Sequence, residues 1–125
     1  MMEEMKLIAV VEDNADNRLL IDALLSDLYR LVEYHTGQEA LDGLRREPPD
    51  LVLLDISIPG MDGVEVLREI RADATLGDLP VIALTAHAMA GDRERFLGLG
   101  FDGYLAKPIT DEEQLLGAIA RQLAR

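Results

Sequence analysis

Five polar residues in this sequence stand directly after short apolar runs. Glu12 and Asp13 follow Leu7 to Val11, Asp55 follows Leu51 to Leu54, Thr85 follows Val81 to Leu84, and Lys107 follows Gly103 to Ala106. Three carboxylates gathered in a partly dry cleft repel one another and raise their own pKa values. A divalent cation relieves that repulsion. A hard, oxygen-only donor set with room for water suits Mg²⁺, which commonly takes one or two carboxylates together with phosphate oxygens. Asp13 and Asp55 are the candidate side-chain ligands, with Glu12 acting directly or through water and a backbone carbonyl near Ser57 completing the shell. A carboxylate beside a metal and an ammonium can attack phosphorus and form an acyl phosphate. Phosphoryl transfer asks mainly for charge neutralisation and positioning, which Mg²⁺ and Lys107 would supply, while the Thr85 hydroxyl would donate to a phosphoryl oxygen.

A lone aspartate at a strand end ordinarily marks only where the chain reaches water, so the elements must decide whether these residues meet. After Leu7 to Val11, Asn14 to Asn17 offer caps to a helix whose Ile21, Leu24, Leu25 and Leu28 recur on one face. Leu31 to His35 alternates as an edge strand does. Gly37 to Arg46 reads as a helix with Ala40, Leu41 and Leu44 inward, stopped by Pro48-Pro49. The strand pattern before Asp55 breaks on Ile58-Pro59-Gly60, and Val64, Leu67 and Ile70 mark a third helix ending near the Thr75 to Pro80 turn. Met89 to Leu99 carries only a thin stripe (Met89, Phe96, Leu97) beside Gly91, Gly98 and Gly100, which predicts the loosest helix. Thr110 followed by Glu113 forms a capping-box pattern before a last helix with Leu116, Ile119, Ala120 and Leu123 at helical spacing.

Five strands alternating with five helices and no linker imply one α/β domain over residues 1–125, a parallel sheet with right-handed crossovers and helices on both faces. Ligands of such sheets sit beyond the carboxyl ends of the strands. Glu12, Asp13, Asp55, Thr85 and Lys107 then share one rim. A random scatter of charge would not select four strand ends at the same edge.

Composition narrows the partners. The 125 residues hold 12 Lys and Arg against 24 Asp and Glu, a net charge of -12, and no cysteine. Such a surface repels nucleic-acid and membrane phosphates, and the missing cysteines exclude disulfides and thiolate chemistry. With no Trp, 2 Phe and 3 Tyr, platforms for base stacking are few. No apolar run approaches the ~18 residues of a membrane span, and the acidic stretch Met1 to Lys6 does not lead into a secretory signal. A cytoplasmic protein with no nucleic-acid or membrane partner is expected, and the initiating methionines favour a free-standing chain.

The pair Glu12-Asp13, Asp55 with its trailing Pro59-Gly60-Met61-Asp62-Gly63, the pair Thr85-Ala86, and Lys107-Pro108 together resemble the receiver domain of two-component response regulators. The resemblance covers essentially the whole chain. LTAHAMAGDRERF and YLAKPI look most like single-domain regulators of the DivK type and the receivers of hybrid sensor kinases. It implies a CheY-like, flavodoxin-like strand order of 2-1-3-4-5. It also implies that Asp55 accepts a phosphoryl group from the phosphohistidine of a sensor histidine kinase or histidine phosphotransfer protein. Mg²⁺ would be held by Asp13, Asp55 and the Ser57 carbonyl with help from Glu12, which replaces the commoner Asp. Lys107 would contact the phosphoryl group, across what is usually a cis peptide to Pro108, and Thr85 with Tyr104 would form the switch pair. Ser57 and His87 occupy positions that tune dephosphorylation. Such a domain is a phosphoacceptor and not an enzyme in the ordinary sense. Output would pass to a protein target through the fourth helix, fifth strand and last helix, from a monomer or a phosphorylation-dependent homodimer.

The energetics suffice for a switch. Moving a population from mostly inactive to mostly active takes about 5.5 kcal/mol, and two or three charge-assisted hydrogen bonds contribute about 1.5–3 kcal/mol each. Plainer readings exist for single residues: Tyr104 as a half-buried strand residue, His87 and His35 as exposed, Asp62 as a turn former. An aspartyl-nucleophile phosphatase would want a second acid where Ser57 stands. A flavin-binding module would want a phosphate loop where Glu12 and Asp13 repel phosphate.

Overall fold

The computed structural model describes residues 5–86 and 89–124. The elements run β1 (Leu7–Val11), α1 (Ala15–Leu25), β2 (Arg30–Tyr34), α2 (Gly37–Arg46), β3 (Leu51–Asp55), α3 (Gly63–Ala72), β4 (Val81–Thr85), α4 (Asp92–Leu99), β5 (Gly103–Ala106) and α5 (Glu112–Leu123). Neighbouring strands are parallel and ordered β2-β1-β3-β4-β5, the expected topology. No helix among the described residues is long and apolar enough to cross a membrane.

Strands β1, β3 and β4 are buried end to end while β2 and β5 are partly exposed, and the two-residue period of the strands divides the core in two. Ile8, Val10, Leu51, Leu53, Ile82 and Leu84 face α1 and α5, where they meet Ile21, Leu25, Leu115 and Ile119. Ala9, Val11, Val52, Leu54, Val81 and Ala83 face the other helices, meeting Leu41, Leu44, Leu67, Ile70 and Phe96. The same parity carries past the strand ends. Glu12, Asp55 and Lys107 continue the rows of Val10, Leu53 and Leu105 on the α1/α5 side, whereas Thr85 continues the row of Ala83 toward α4.

Capping explains most helix starts. Asn14, Thr36 and Asp62 accept from the N–H groups of Asn17, Glu39 and Glu65 at 3.0, 3.1 and 3.0 Å. Asp62 is therefore a helix cap as well as a turn residue. At α5 the cap is Asp111, accepting from Gln114 N–H at 3.1 Å, and not Thr110 as the capping-box pattern predicts. Two stripes also differ. The inward face of α5 is Leu115, Ala118 and Ile119, while Ala120 is exposed. Leu28 lies beyond the end of α1 and is 52% exposed.

Helix α4 is the weakly held element, as expected. It begins only after Gly91, whose φ of +87° sets the turn, it has no side-chain cap, and Met89 lies outside it, 72% exposed. Phe96 is its single buried residue. Its C-terminal end is better fixed. The Arg71 guanidinium donates to the carbonyls of Gly77, Leu79 and Gly100 at 3.1, 2.6 and 2.8 Å and to Asp102 Oδ2 at 2.8 Å.

The loop after Asp55 is pinned by Gly63, whose N–H donates to the Ile56 carbonyl at 2.9 Å. A Cβ there would stand 2.7 Å from Ile56 Cα and 3.0 Å from the Asp55 carbonyl oxygen, backbone atoms that cannot rotate away. Gly63→Ala is therefore expected to cost about 1–3 kcal/mol in urea unfolding. Gly98→Ala, at a helical position with nothing within 4 Å of the new methyl group, is expected to gain about 0.5–1 kcal/mol. Equal effects of the two changes would refute this account of Gly63.

Candidate functional site

The register assembles the rim. Val11 pairs with Leu54, so Glu12 continues beside Asp55. Thr85 pairs with Ala106, and the Lys107 N–H donates to the Thr85 carbonyl at 2.7 Å, which sends the lysine side chain back across the strand ends. Lys107 Nζ lies 2.9 Å from Asp55 Oδ2 and 3.0 Å from Glu12 Oε1. The three side chains are 10%, 2% and 0% exposed respectively, so these are ion pairs largely removed from water.

Each carboxylate has further donors. Ser57 N–H donates to Asp55 Oδ1 at 3.0 Å and Asn14 N–H to Glu12 Oε2 at 3.2 Å. The Arg18 guanidinium donates to the Glu12 carbonyl at 3.0 Å. Asn14 and Arg18 were not legible as site residues. Their only trace is their place at the start of α1, directly after the acids. Asp13 is exposed, and one carboxylate oxygen from each of Glu12, Asp13 and Asp55 lies within 4.8 Å of the others. Three negative charges against one lysine leave the cluster two short of neutrality, the charge of one divalent cation. The donor set is hard oxygen throughout, which fits Mg²⁺. The expected gathering of Glu12, Asp13, Asp55 and Lys107 is thus present.

Burial, followed by the neighbouring Asp55 carboxylate, raises the Glu12 pKa above its ordinary value, against the opposing pull of Lys107 and the Asn14 N–H. Burial pulls Lys107 down, but its hydrogen bonds to Asp55 and Glu12 and their charges outweigh it, and the net direction is up.

On the α4 side Thr85 is buried at the end of β4. The Tyr104 ring stacks on Phe96 with centroids 5.7 Å apart and planes 18° from parallel, and Phe101 meets Phe96 edge-on at 5.8 Å. The Tyr104 hydroxyl is buried without a hydrogen-bond partner among the described residues. Burial raises its pKa. His35 is exposed at the end of β2, and His87 lies outside the described residues.

A family profile, the response regulator receiver domain, matches residues 8–120. The chain belongs to that family. It is 44% identical over 106 residues to the signal transduction histidine-protein kinase BarA of Escherichia coli, covering 84% of this chain and only 12% of the kinase. It is 42% identical over 106 residues to the polar-differentiation response regulator DivK of Brucella ovis, covering 84% of this chain and 86% of that protein. Among solved structures, the receiver domain of a Pseudomonas aeruginosa sensor histidine kinase, with magnesium coordinated in its active-site cleft, matches at a TM-score of 0.87. The two are 38% identical over 97% of this chain and 99% of that one. The chain is a receiver domain of two-component signalling with a CheY-like fold.

The raised Glu12 pKa has a sign. Folded Glu12 holds its proton more tightly than unfolded Glu12, whose ordinary value is 4.5, so its contribution to stability falls as pH rises from 4.5 through the folded-state value. Lys107 has the same sign at the alkaline end, its contribution being present below 10.5 and lost as pH rises through the folded-state value. In EDTA, the stability of Glu12→Gln relative to the parent is expected to improve between about pH 5 and about pH 8. Parallel urea-unfolding curves for the two proteins across that range would contradict the assignment.

Proposed function

We propose that this chain takes a phosphoryl group onto Asp55 from the phosphohistidine of a sensor kinase or a histidine phosphotransfer protein, in a Mg²⁺-dependent reaction, and that the acyl phosphate changes the binding of a protein target. The observation that carries this reading is the Lys107 ammonium within hydrogen-bond distance of both Asp55 and Glu12, with Asp13 beside them on the same rim.

The residues have distinct roles. A bond forms between a carboxylate oxygen of Asp55 and phosphorus as the phosphorus–nitrogen bond of phosphohistidine breaks. The electron pair stays on the imidazole nitrogen, and the ring, already protonated on its other nitrogen, leaves neutral. Asp13, Asp55 and the Ser57 carbonyl would hold Mg²⁺, with Glu12 assisting directly or through water, and the chemistry supplied by a bound ion would be neutralisation and orientation of the phosphoryl oxygens. Lys107 follows the charge from the carboxylate to the phosphoryl group, and the Thr85 hydroxyl donates to a phosphoryl oxygen.

The switch is the pair Thr85 and Tyr104. Both lie on the side of the sheet toward α4, and the Tyr104 ring touches Phe96, the one buried residue of that helix. Movement of the Thr85 hydroxyl toward the phosphate frees space into which the Tyr104 ring turns, and α4 follows. The altered surface of α4, β5 and α5 is what the target reads, in a monomer or a phosphorylation-dependent homodimer. The whole chain acts as one receiver domain, a reading supported by the family match over residues 8–120. A second reading, a receiver of a hybrid histidine kinase, is supported by the likeness to a segment of BarA. The chemistry at Asp55 is the same in both, and the phosphohistidine donor then sits on the same polypeptide.

Incubation with acetyl phosphate and Mg²⁺ is expected to add one phosphoryl group, seen by intact-protein mass spectrometry. The addition should vanish in EDTA and in Asp55→Asn. A label that persists in Asp55→Asn would move the acceptor elsewhere. Thr85→Ala is expected to keep the label while weakening the accompanying change in amide exchange over α4. An undiminished response in that variant would remove Thr85 from the switch.

A further inference from the structure

Of the three clustered acids, Glu12 and Asp55 are buried and Asp13 is exposed. Among the described residues the Asp13 carboxylate enters no hydrogen bond or ion pair, so its backbone must set where it points. The peptide units on its two sides are planar, and only two soft dihedrals lie between them. Both planes are anchored. On one side the Glu12 carbonyl accepts from Arg18 Nη1 at 3.0 Å, and on the other the Asn14 N–H donates to Glu12 Oε2 at 3.2 Å. The second anchor belongs to the acid cluster itself, because Glu12 is held in turn by Lys107 at 3.0 Å. The first comes from outside it.

Arg18 is well placed for this. It is a half-buried residue of α1, and its own N–H donates to the Asn14 carbonyl at 3.1 Å, so the first turn of the helix fixes the root of its side chain. Asp22 and Glu33 line the same surface hollow, yet the guanidinium pairs with neither and reaches the Glu12 carbonyl instead. The ladder between β1 and β2 ends with the Glu12 N–H on the Tyr34 carbonyl at 3.0 Å. Beyond that point Arg18 holds the chain. Its charge and its hydrogen bond act on a cation site in opposite directions. A guanidinium near the site repels a cation, an effect that water and salt screen at an exposed residue. A carboxylate already held in place loses less freedom when the ion arrives, and groups that orient a metal ligand from behind are typically worth about 10–100-fold in metal affinity.

We propose that Arg18 is a positioning residue for Asp13: its bond to the Glu12 carbonyl fixes the Glu12–Asp13 peptide, and with it the place where the Asp13 carboxylate meets those of Glu12 and Asp55. Arg18 is not itself a ligand and acts through a backbone oxygen. This deepens the reading above and rests on it, since the ion is the Mg²⁺ which that reading requires. Positioning outweighs charge, so removing the side chain weakens Mg²⁺ binding, whereas a purely electrostatic role would make the same change strengthen it.

The test is a titration of the isotope-labelled full chain with magnesium chloride, followed by amide nuclear magnetic resonance in the parent, Arg18→Met and Arg18→Lys, each first shown by its spectrum to be folded. Arg18→Met keeps an unbranched apolar stem and loses every donor, while Arg18→Lys keeps the charge and a donor. The Mg²⁺ dissociation constant is expected to rise about tenfold or more in Arg18→Met and to return to within about threefold of the parent in Arg18→Lys. The Asp13 amide resonance should already be displaced in Arg18→Met before any ion is added. An affinity in Arg18→Met that is unchanged or tighter, an undisplaced Asp13 amide, or an Arg18→Lys as weak as Arg18→Met would overturn the proposal. Should Arg18→Met not fold, Arg18→Gln, whose amide ends two bonds short of the arginine donor, takes its place with the same expected result. Acetyl phosphate labelling of the parent is measured in parallel. A parent that binds Mg²⁺ and takes the label beside an indifferent Arg18 variant removes Arg18 from the site and leaves the phosphoacceptor reading standing, whereas a parent that binds no Mg²⁺ and takes no label sinks that reading and the proposal that rests on it.

Discussion

One ammonium between two buried carboxylates governs this molecule. Glu12 and Asp55 are both removed from water, and the low local dielectric makes their mutual repulsion costly. Lys107 reduces that cost by bridging them, and the backbone N–H groups of Ser57 and Asn14 stabilise the oxygens it does not reach. Deleting the ammonium would leave two buried acids uncompensated, a change of the kind that costs about 3–5 kcal/mol. The compensation is incomplete once Asp13 is counted, and that residual negative charge is what a divalent cation would offset.

The two-sided packing of the sheet separates the acid cluster from Thr85 and Tyr104. Parity along the strands puts Glu12, Asp55 and Lys107 over the α1/α5 core and sends Thr85 toward α4. Strands β3 and β4 are buried throughout and helices α2 and α3 are anchored by several buried residues each, so the acids sit on a rigid base. Helix α4 contrasts with them. It is anchored by Phe96 alone and is pinned near its C-terminal end, where Arg71 holds the Gly100 carbonyl. A short helix fixed at one end and loosely packed along its length can be displaced for little free energy, and its one anchor touches Tyr104.

The site was more legible than the details of the helices around it. Apolar runs ending in Glu12, Asp55, Thr85 and Lys107 are strong signals, because a strand buried on both faces tolerates no charge until it emerges. Helix α5 was harder, since Leu115, Leu116, Ala118, Ile119 and Ala120 put apolar residues on more than half of its circumference and several stripes fit. Thr110 and Asp111 are both good caps, and the path of the chain after Pro108 chooses between them. Arg18 was invisible because it touches the site through the Glu12 carbonyl, a backbone atom without a sequence signature.

Local patterning marks where the strands lie, which residues close them, and that the closing residues carry complementary charge, because burial and the two-residue period are properties of short stretches. It did not determine that Lys107 would reach Glu12, 95 positions away, or Asp55, 52 positions away. That was decided by the order and register of the strands, which follow from how five helices cover both faces of one sheet. No local pattern encodes such contacts, because the free energy that fixes them is spread over the entire core.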